Sequence, residues 1–251
     1  MKKQAGVTGN NRNPELKVIK GITNTAIPDE MPALMQELRR TFNLHQFKKP
    51  VVAFSDESPV KLFVKRLLDI LLSAFAIVFF LSWMIPLVGL LIKLDSKGPI
   101  FFLQKRNKKN GKIFTCIKFR TMIVNDEADS LPASDFDRRI TRVGNFLRNH
   151  YLDELPQFFN SLIGDMSVVG PRPHMLSDNI RYDKLVDHYP LRHKVKPGIT
   201  GLAQVMGYAG NNNDTQNIKH RVYLDIFYVG RWSLRLDIKI LWNTLRRVFS
   251  V

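Results

Sequence analysis

Two adjacent carboxylates, Asp153 and Glu154, stand in the run Leu152-Asp153-Glu154-Leu155-Pro156-Gln157, with cations on both sides. Arg148 precedes them, Gly170-Pro171-Arg172-Pro173 follows, and Lys118-Phe119-Arg120-Thr121 adds two more positive charges at the end of an expected strand. Phosphoryl chemistry asks for this combination: an anionic nucleophile or metal ligand, and positive charge to hold phosphate oxygens. Arg172 is the most telling cation. Two prolines restrict its backbone, and its planar guanidinium can meet a phosphate with two bonds. A structural reading competes for the carboxylates, with Asp153 capping a helix over 154–163, Pro156 in its first turn and Glu154 near the positive end of the dipole. The two readings are compatible, since a helix N-terminus also attracts phosphate. Asp165 could complete a Mg²⁺ site with the pair, or simply serve a turn.

The elements that must position this cluster follow from periodicity and turn signals. Asn110-Gly111 between apolar runs predicts a hairpin, with strands at 100–104 and 112–119. Residues 125–139 read as a charged loop, 140–150 as a helix, and Met166-Ser167-Val168-Val169 as a buried strand. Helices are expected at 216–229 and 235–249. In the last, Ile238, Leu241, Trp242, Leu245, Val248 and Phe249 share one face, opposed by Arg235, Lys239, Arg246 and Arg247. That pattern suits a helix lying in a membrane interface, or one packed on the core. The expected class is α/β, mostly helical with a short β-hairpin.

Upstream, residues 67–92 are apolar and about long enough to cross a hydrocarbon layer of roughly 30 Å. Lys61, Lys65 and Arg66 precede the run, and Lys93, Lys97, Lys105 and Arg106 follow it. Positive charge favours the cytoplasmic side, and here both ends claim it. Pro86 removes a backbone donor and should break or kink the helix, while Ser82 can bond a freed carbonyl. A helix that dips in, bends at Pro86 and returns fits these facts; a straight span and a buried core helix are the alternatives. Residues 1–60 form an N-terminal extension with a short helix from Asp29 to about Asn43 and a linker over 48–60. The segment 61–94 is then the membrane helix and 95–251 the catalytic domain.

A net charge of +16 points to an anionic partner. The single Cys116 cannot form an intramolecular disulfide, and the N-terminus lacks a secretory h-region, so a cytoplasmic setting is expected. There is no Walker loop, no strand-linked G-x-G-x-x-G and no zinc spacing among the six histidines. Gly210-Asn211-Asn212-Asn213-Asp214 reads as a polar turn, since it lacks the later Glu of a calcium loop. A nucleic-acid-binding protein would explain the charge but not 67–92, and no helix-turn-helix or RNP-type signature supports it. A non-catalytic membrane scaffold, with Asp153 as a cap only, is the other alternative.

From about Lys61 onward the chain resembles the bacterial sugar transferases, the polyprenyl-phosphate hexose-1-phosphate transferases. The blocks that carry the resemblance are Lys65-Arg66…Asp69, Asp95-Ser96…Gly98-Pro99, Gln104…Arg106, Lys118-Phe119-Arg120-Thr121-Met122, Leu152 to Gln157, Gly164-Asp165-Met166-Ser167 and Gly170 to Pro173. Lys196-Pro197-Gly198-Ile199-Thr200-Gly201 and Asp237-Ile238-Lys239 continue the register. Three positions depart from the pattern: Lys108 replaces a glycine, Ile85-Pro86 a Ser-Pro, and Tyr208 an arginine. The resemblance implies a monotopic enzyme with a re-entrant helix broken at Pro86, on the cytoplasmic face of the bacterial inner membrane. It implies a UDP-sugar donor, a polyprenyl phosphate acceptor, Mg²⁺ bound by Asp153 and Glu154, and no nucleic acid; a homodimer is left open. Asp153 and Glu154 would be catalytic, and Lys118, Arg120, Arg148 and Arg172 would bind phosphate. Such enzymes begin exopolysaccharide, O-antigen or related glycan assembly.

Overall fold

Asn110 and Gly111 take positive φ (61° and 70°) and turn the chain back on itself, as an Asn-Gly pair between apolar runs should. They join strand β1 (Phe101–Asn107) to β2 (Ile113–Phe119), antiparallel, with Phe101 opposite Phe119 and Gln104 opposite Cys116. The structure, a computed structural model, describes residues 32–42, 58–125, 137–209 and 214–249. The Asp29 cap, most of the 48–60 linker, most of the 125–139 loop and residues 210–213 of the polar turn lie outside the described residues.

Helices dominate the rest: α1 (Pro32–Phe42), α2 (Pro59–Asp95), α3 (Arg142–Asn149), α4 (Gln157–Ile163), α5 (Leu176–Leu185), α6 (Leu202–Val205), α7 (Thr215–Arg231) and α8 (Leu234–Phe249). A second small sheet pairs β3 (Ser167–Val169) with β4 (Gly198–Thr200) in parallel. The expected hairpin, buried strand and two C-terminal helices are therefore present. Helix α5 was not legible, because Tyr182 is the one fully buried side chain along it and no apolar stripe announces it.

The main core gathers Val168 and Val169 of β3, Leu202 and Val205 of α6, Leu224, Phe227 and Tyr228 of α7, and Leu236 and Ile240 of α8. Helix α1 closes it with Leu34, Leu38 and Phe42, and Lys239 donates to the Phe42 carbonyl. On α8 most of the apolar set read from the sequence is turned away from the core: Leu241 packs against it, but Ile238, Trp242, Leu245 and Val248 are exposed, while Leu236 and Ile240 are buried.

Helix α2 is the one described helix long and apolar enough to cross a membrane. The helix runs on through Pro86, so the break that the sequence reading allowed there is absent. The irregularity sits one turn earlier, where Ile77–Leu81 is π-helical and the Ser82 N–H bonds the Ile77 carbonyl. Ser82 Oγ donates to Val78 O at 2.6 Å and Trp83 Nε1 to Phe79 O at 2.9 Å, so the side chains serve carbonyls disturbed by the wide turn.

One face of α2 lies on the domain along its whole length: Asp69, Ser73, Ala76, Leu81, Met84, Val88 and Ile92 are buried. The five-residue step from Ala76 to Leu81, in place of three or four, is where the π turn keeps that stripe in register. At the N-terminal end Lys65 bonds Asp237 (2.7 Å) and Val169 O (3.1 Å), and Arg66 bonds the Ser161 and Leu162 carbonyls at the end of α4 (2.7 Å each). Asp69 accepts from Ser167 Oγ (2.8 Å) and Val168 N (2.9 Å). At the other end Asp95 accepts from Val143 N at 2.9 Å, and Ile92 packs beside Phe119 and Leu147. The opposite face, with Phe63, Leu71, Phe79, Leu87 and Leu94, is exposed.

Asp237 holds three groups at once: Lys65, the Tyr228 hydroxyl (2.7 Å) and Trp232 Nε1 (3.0 Å). Asp237→Ala leaves all three without that acceptor, one of them a shielded charge. We expect a loss of about 3 kcal/mol, seen as a lowered thermal unfolding midpoint of the detergent-solubilised protein. An unchanged midpoint would mean that this weld between α2 and the domain contributes nothing.

Candidate active site

The carboxylate pair does not lie on a helix. Tyr151 takes left-handed backbone angles (φ 57°, ψ 16°) and tips the chain into a 3-10 turn, Leu152–Glu154, ahead of α4. The residue capping α4 is Pro156, which makes no side-chain cap bond, so the capping role foreseen for Asp153 is absent. The turn separates the two carboxylates by function. Glu154 is buried and Asp153 is half-exposed, and both line one cavity of about 620 Å³.

Glu154 is fully engaged. Lys118 Nζ reaches its Oε1 at 2.7 Å, and Arg172 grips both oxygens, with Nη1 to Oε2 at 2.6 Å. Burial alone would raise its pKa, but Arg172 and Lys118 outweigh that and hold the carboxyl well below the ordinary range. Glu154 in turn keeps the Arg172 guanidinium above its usual value despite burial. Two of the five N–H groups of Arg172 point to Glu154, which leaves three for a ligand.

Asp153 has no hydrogen-bond or ion-pair partner among the described residues. Burial, helped by the Glu154 charge, pushes its carboxyl above the ordinary range, while Lys118, Arg172 and Arg148 pull the other way. A partly desolvated carboxylate with no partner among the described residues, facing three cations, is free to attack phosphorus or bind a metal. Arg148 lines the same cavity, held by a 3.5 Å contact to Thr121 Oγ1.

Three backbone carbonyls fix the loop that carries Arg172. Pro171 O accepts from Gly198 N (2.9 Å), Arg172 O from Arg192 (2.6 Å), and Pro173 O from Arg106. The loop lies so close to β4 that a Cβ at Gly198 would stand 2.1 Å from Gly170 N. Arg192 is itself locked to Asp225 at 2.6 Å, and Arg106 to Gln104 at 2.7 Å.

Arg120 is placed differently from the sequence reading. Although it borders the cavity, its guanidinium is taken by Pro99 O (2.6 Å), Ser96 Oγ (2.7 Å) and Ser96 O (2.9 Å). It shapes the turn after α2 and has little left for a phosphate. Asp165 is also apart, paired with Lys108. Among the described residues no three His, Cys, Asp or Glu side chains converge on a point that could hold a metal. Glu154 does not fit as a metal ligand while both oxygens are paired, so a Mg²⁺ ion would find Asp153 alone, with substrate oxygens and water completing its shell. Cys116 is buried, and burial raises its pKa, as expected of an inert thiol.

A family model described as bacterial sugar transferase matches residues 60–251. The chain belongs to the bacterial sugar transferase family. It is 43% identical over 218 residues to the UDP-glucose:undecaprenyl-phosphate glucose-1-phosphate transferase of Klebsiella pneumoniae, covering 83% of this chain and 47% of the relative. A protein of the same name from Xanthomonas campestris pv. campestris is 49% identical over 161 residues, 63% of this chain and 33% of the relative. The exopolysaccharide production protein PSS of Rhizobium leguminosarum bv. phaseoli is 41% identical over 189 residues, 73% of this chain and 94% of that protein. The chain thus spans under half the length of the first two relatives.

Within this sugar transferase domain, several residues that shape the site carried no functional signal in the sequence. Gln104 and Arg106 had one: spaced by two in a strand, they share a face, and both are buried. Arg192 and His174 had none, since nothing local shows that Arg192 reaches back to the Arg172 carbonyl or that His174 lines the cavity.

Proposed function

We propose that this sugar transferase moves hexose 1-phosphate from a UDP-sugar to a polyprenyl phosphate and releases UMP. The observation that carries the reading is Asp153: a carboxylate with no partner among the described residues, at a cavity lined by Lys118, Arg148 and Arg172. The names of the relatives support the same kinds of donor, acceptor and transferred group. Asp153 Oδ attacks the sugar-bearing phosphorus, the bond to the bridging oxygen breaks, and UMP leaves with that oxygen. An aspartyl phosphosugar remains. An oxygen of the lipid phosphate then attacks the same phosphorus, and the carboxylate departs regenerated. Arg148 and the three remaining N–H groups of Arg172 hold the diphosphate oxygens against the repulsion of the carboxylate. Glu154 keeps Lys118 and Arg172 in place instead of touching the reacting atoms. Asp153 would be the residue to hold a Mg²⁺ ion, which would supply further charge neutralisation. The product would begin exopolysaccharide, O-antigen or a related glycan. A screen of UDP-sugars with polyprenyl phosphate should find UMP release with at least one donor; none with any hexose would end this reading.

The membrane arrangement we propose is monotopic, with α2 embedded from the cytoplasmic face of a bacterial inner membrane. Both ends of α2 bind the same domain and carry cations, while its outer face and that of α8 are apolar and exposed. A straight crossing would carry one end of a helix of about 55 Å away from the domain it grips. Lys61→Cys and Lys97→Cys should both react with an impermeant maleimide in inverted vesicles and neither in right-side-out ones. Reaction on opposite sides would sink the re-entrant arrangement.

A further inference from the structure

The same cavity is also lined by His174, Met175, Asp178, Ala209 and Arg221, which the chemistry above does not use. His174 is 5% exposed, and its buried Nε2 has no hydrogen-bond partner among the described residues. Its tautomer follows from the neighbours. Asn179 Nδ2 donates to Asn107 Oδ1 (2.6 Å) and Met175 O (3.0 Å), which makes Asn179 Oδ1 an acceptor. The Tyr189 hydroxyl gives its single proton to that oxygen. It can therefore only accept from His174 Nδ1, 2.8 Å away, so Nδ1 carries the proton and Nε2 is a bare acceptor. Burial and the surrounding Arg192, Arg221, Arg106 and Arg172 hold the ring well below its ordinary pKa, hence neutral.

A buried acceptor without a donor costs stability unless a ligand supplies one. Residues 172 and 174 lie two apart in an extended loop and line one cavity, so a ligand whose diphosphate meets Arg172 can reach His174 with its neighbouring part. A hydroxyl would rotate to suit either tautomer, whereas an imide N–H can only donate. A network that fixes Nε2 as acceptor discriminates only the second kind of group. Uracil offers such an N–H at N3 between two carbonyls. We infer that the part of the cavity beside His174 is the uracil subsite, with His174 Nε2 accepting from N3–H. The inference rests on the proposed UDP-sugar donor.

Calorimetry on the full chain in nanodiscs, with UMP, N3-methyl-UMP and CMP, tests it. The wild-type protein should bind UMP about tenfold or more tighter than either analogue, because each removes the donor at N3. His174→Phe should weaken UMP to the level of N3-methyl-UMP and erase the discrimination. His174→Gln, whose amide oxygen can reach the Nε2 position, should restore part of it. Equal binding of UMP and N3-methyl-UMP by the wild-type protein, which no folding defect can mimic, would overturn the assignment. Undiminished discrimination in His174→Phe would do the same, as would a changed hexose preference with base preference intact, which places a sugar hydroxyl at Nε2. Binding needs neither hexose nor lipid. A protein that discriminates the bases yet turns over no UDP-sugar would keep the subsite and sink the transferase reading.

Discussion

Asp153→Asn is expected to lower turnover by about 10⁴-fold or more, the scale of losing a nucleophile. The amide has nearly the same shape but cannot form the acyl phosphate. Asp153 makes no cap bond or ion pair among the described residues, so the substitution removes no structural contact there and should leave folding intact. The wild-type protein should exchange labelled UMP into UDP-sugar without any acceptor, and Asp153→Asn should not. Substantial steady-state turnover by the Asp153→Asn protein would reduce Asp153 to an orienting residue.

Arg172→Lys should lower kcat by about 100-fold or more, in the range of removing a donor that holds transition-state charge. Lysine keeps the charge but cannot grip Glu154 with two bonds and a phosphate at the same time. Lys118 still neutralises Glu154 in that variant, so the loss should be catalytic more than structural. Arg172→Ala should go further, with weaker UDP-sugar binding and a lowered unfolding midpoint, because Glu154 then relies on Lys118 alone. Steady-state kinetics beside thermal unfolding separate the two effects. Near-normal kcat in both variants would make Arg172 a structural clasp.

Much of this site was legible from residue types alone. A carboxylate pair among arginines, and one arginine held between prolines, signalled phosphate chemistry before any contact was known, and Lys118, Arg148 and Arg172 do meet at one cavity. What the pattern could not say is how the charges divide among themselves. Asp153 and Glu154 look alike in sequence, yet the left-handed Tyr151 and the 3-10 turn bury one and open the other. Arg120 looked equivalent to Arg172 until the carbonyls of the 96–99 turn claimed it. The hairpin was readable because Asn-Gly turns act locally. The π turn at Ile77–Leu81 was not, because its extra residue serves a buried stripe that only the domain face beneath defines. His174 escaped notice for the same reason: its chemistry comes from Tyr189 and Asn179, which the fold alone brings to it.

Covalent carriage of the phosphosugar by Asp153 can be read most directly by mass spectrometry of the purified protein after incubation with its UDP-sugar in the absence of lipid. The expected result is release of about one UMP per active site, a hexose phosphate adduct mapping to Asp153, and loss of that adduct when polyprenyl phosphate is added. UMP release that begins only once lipid phosphate is present, with no adduct on Asp153, would contradict the covalent mechanism.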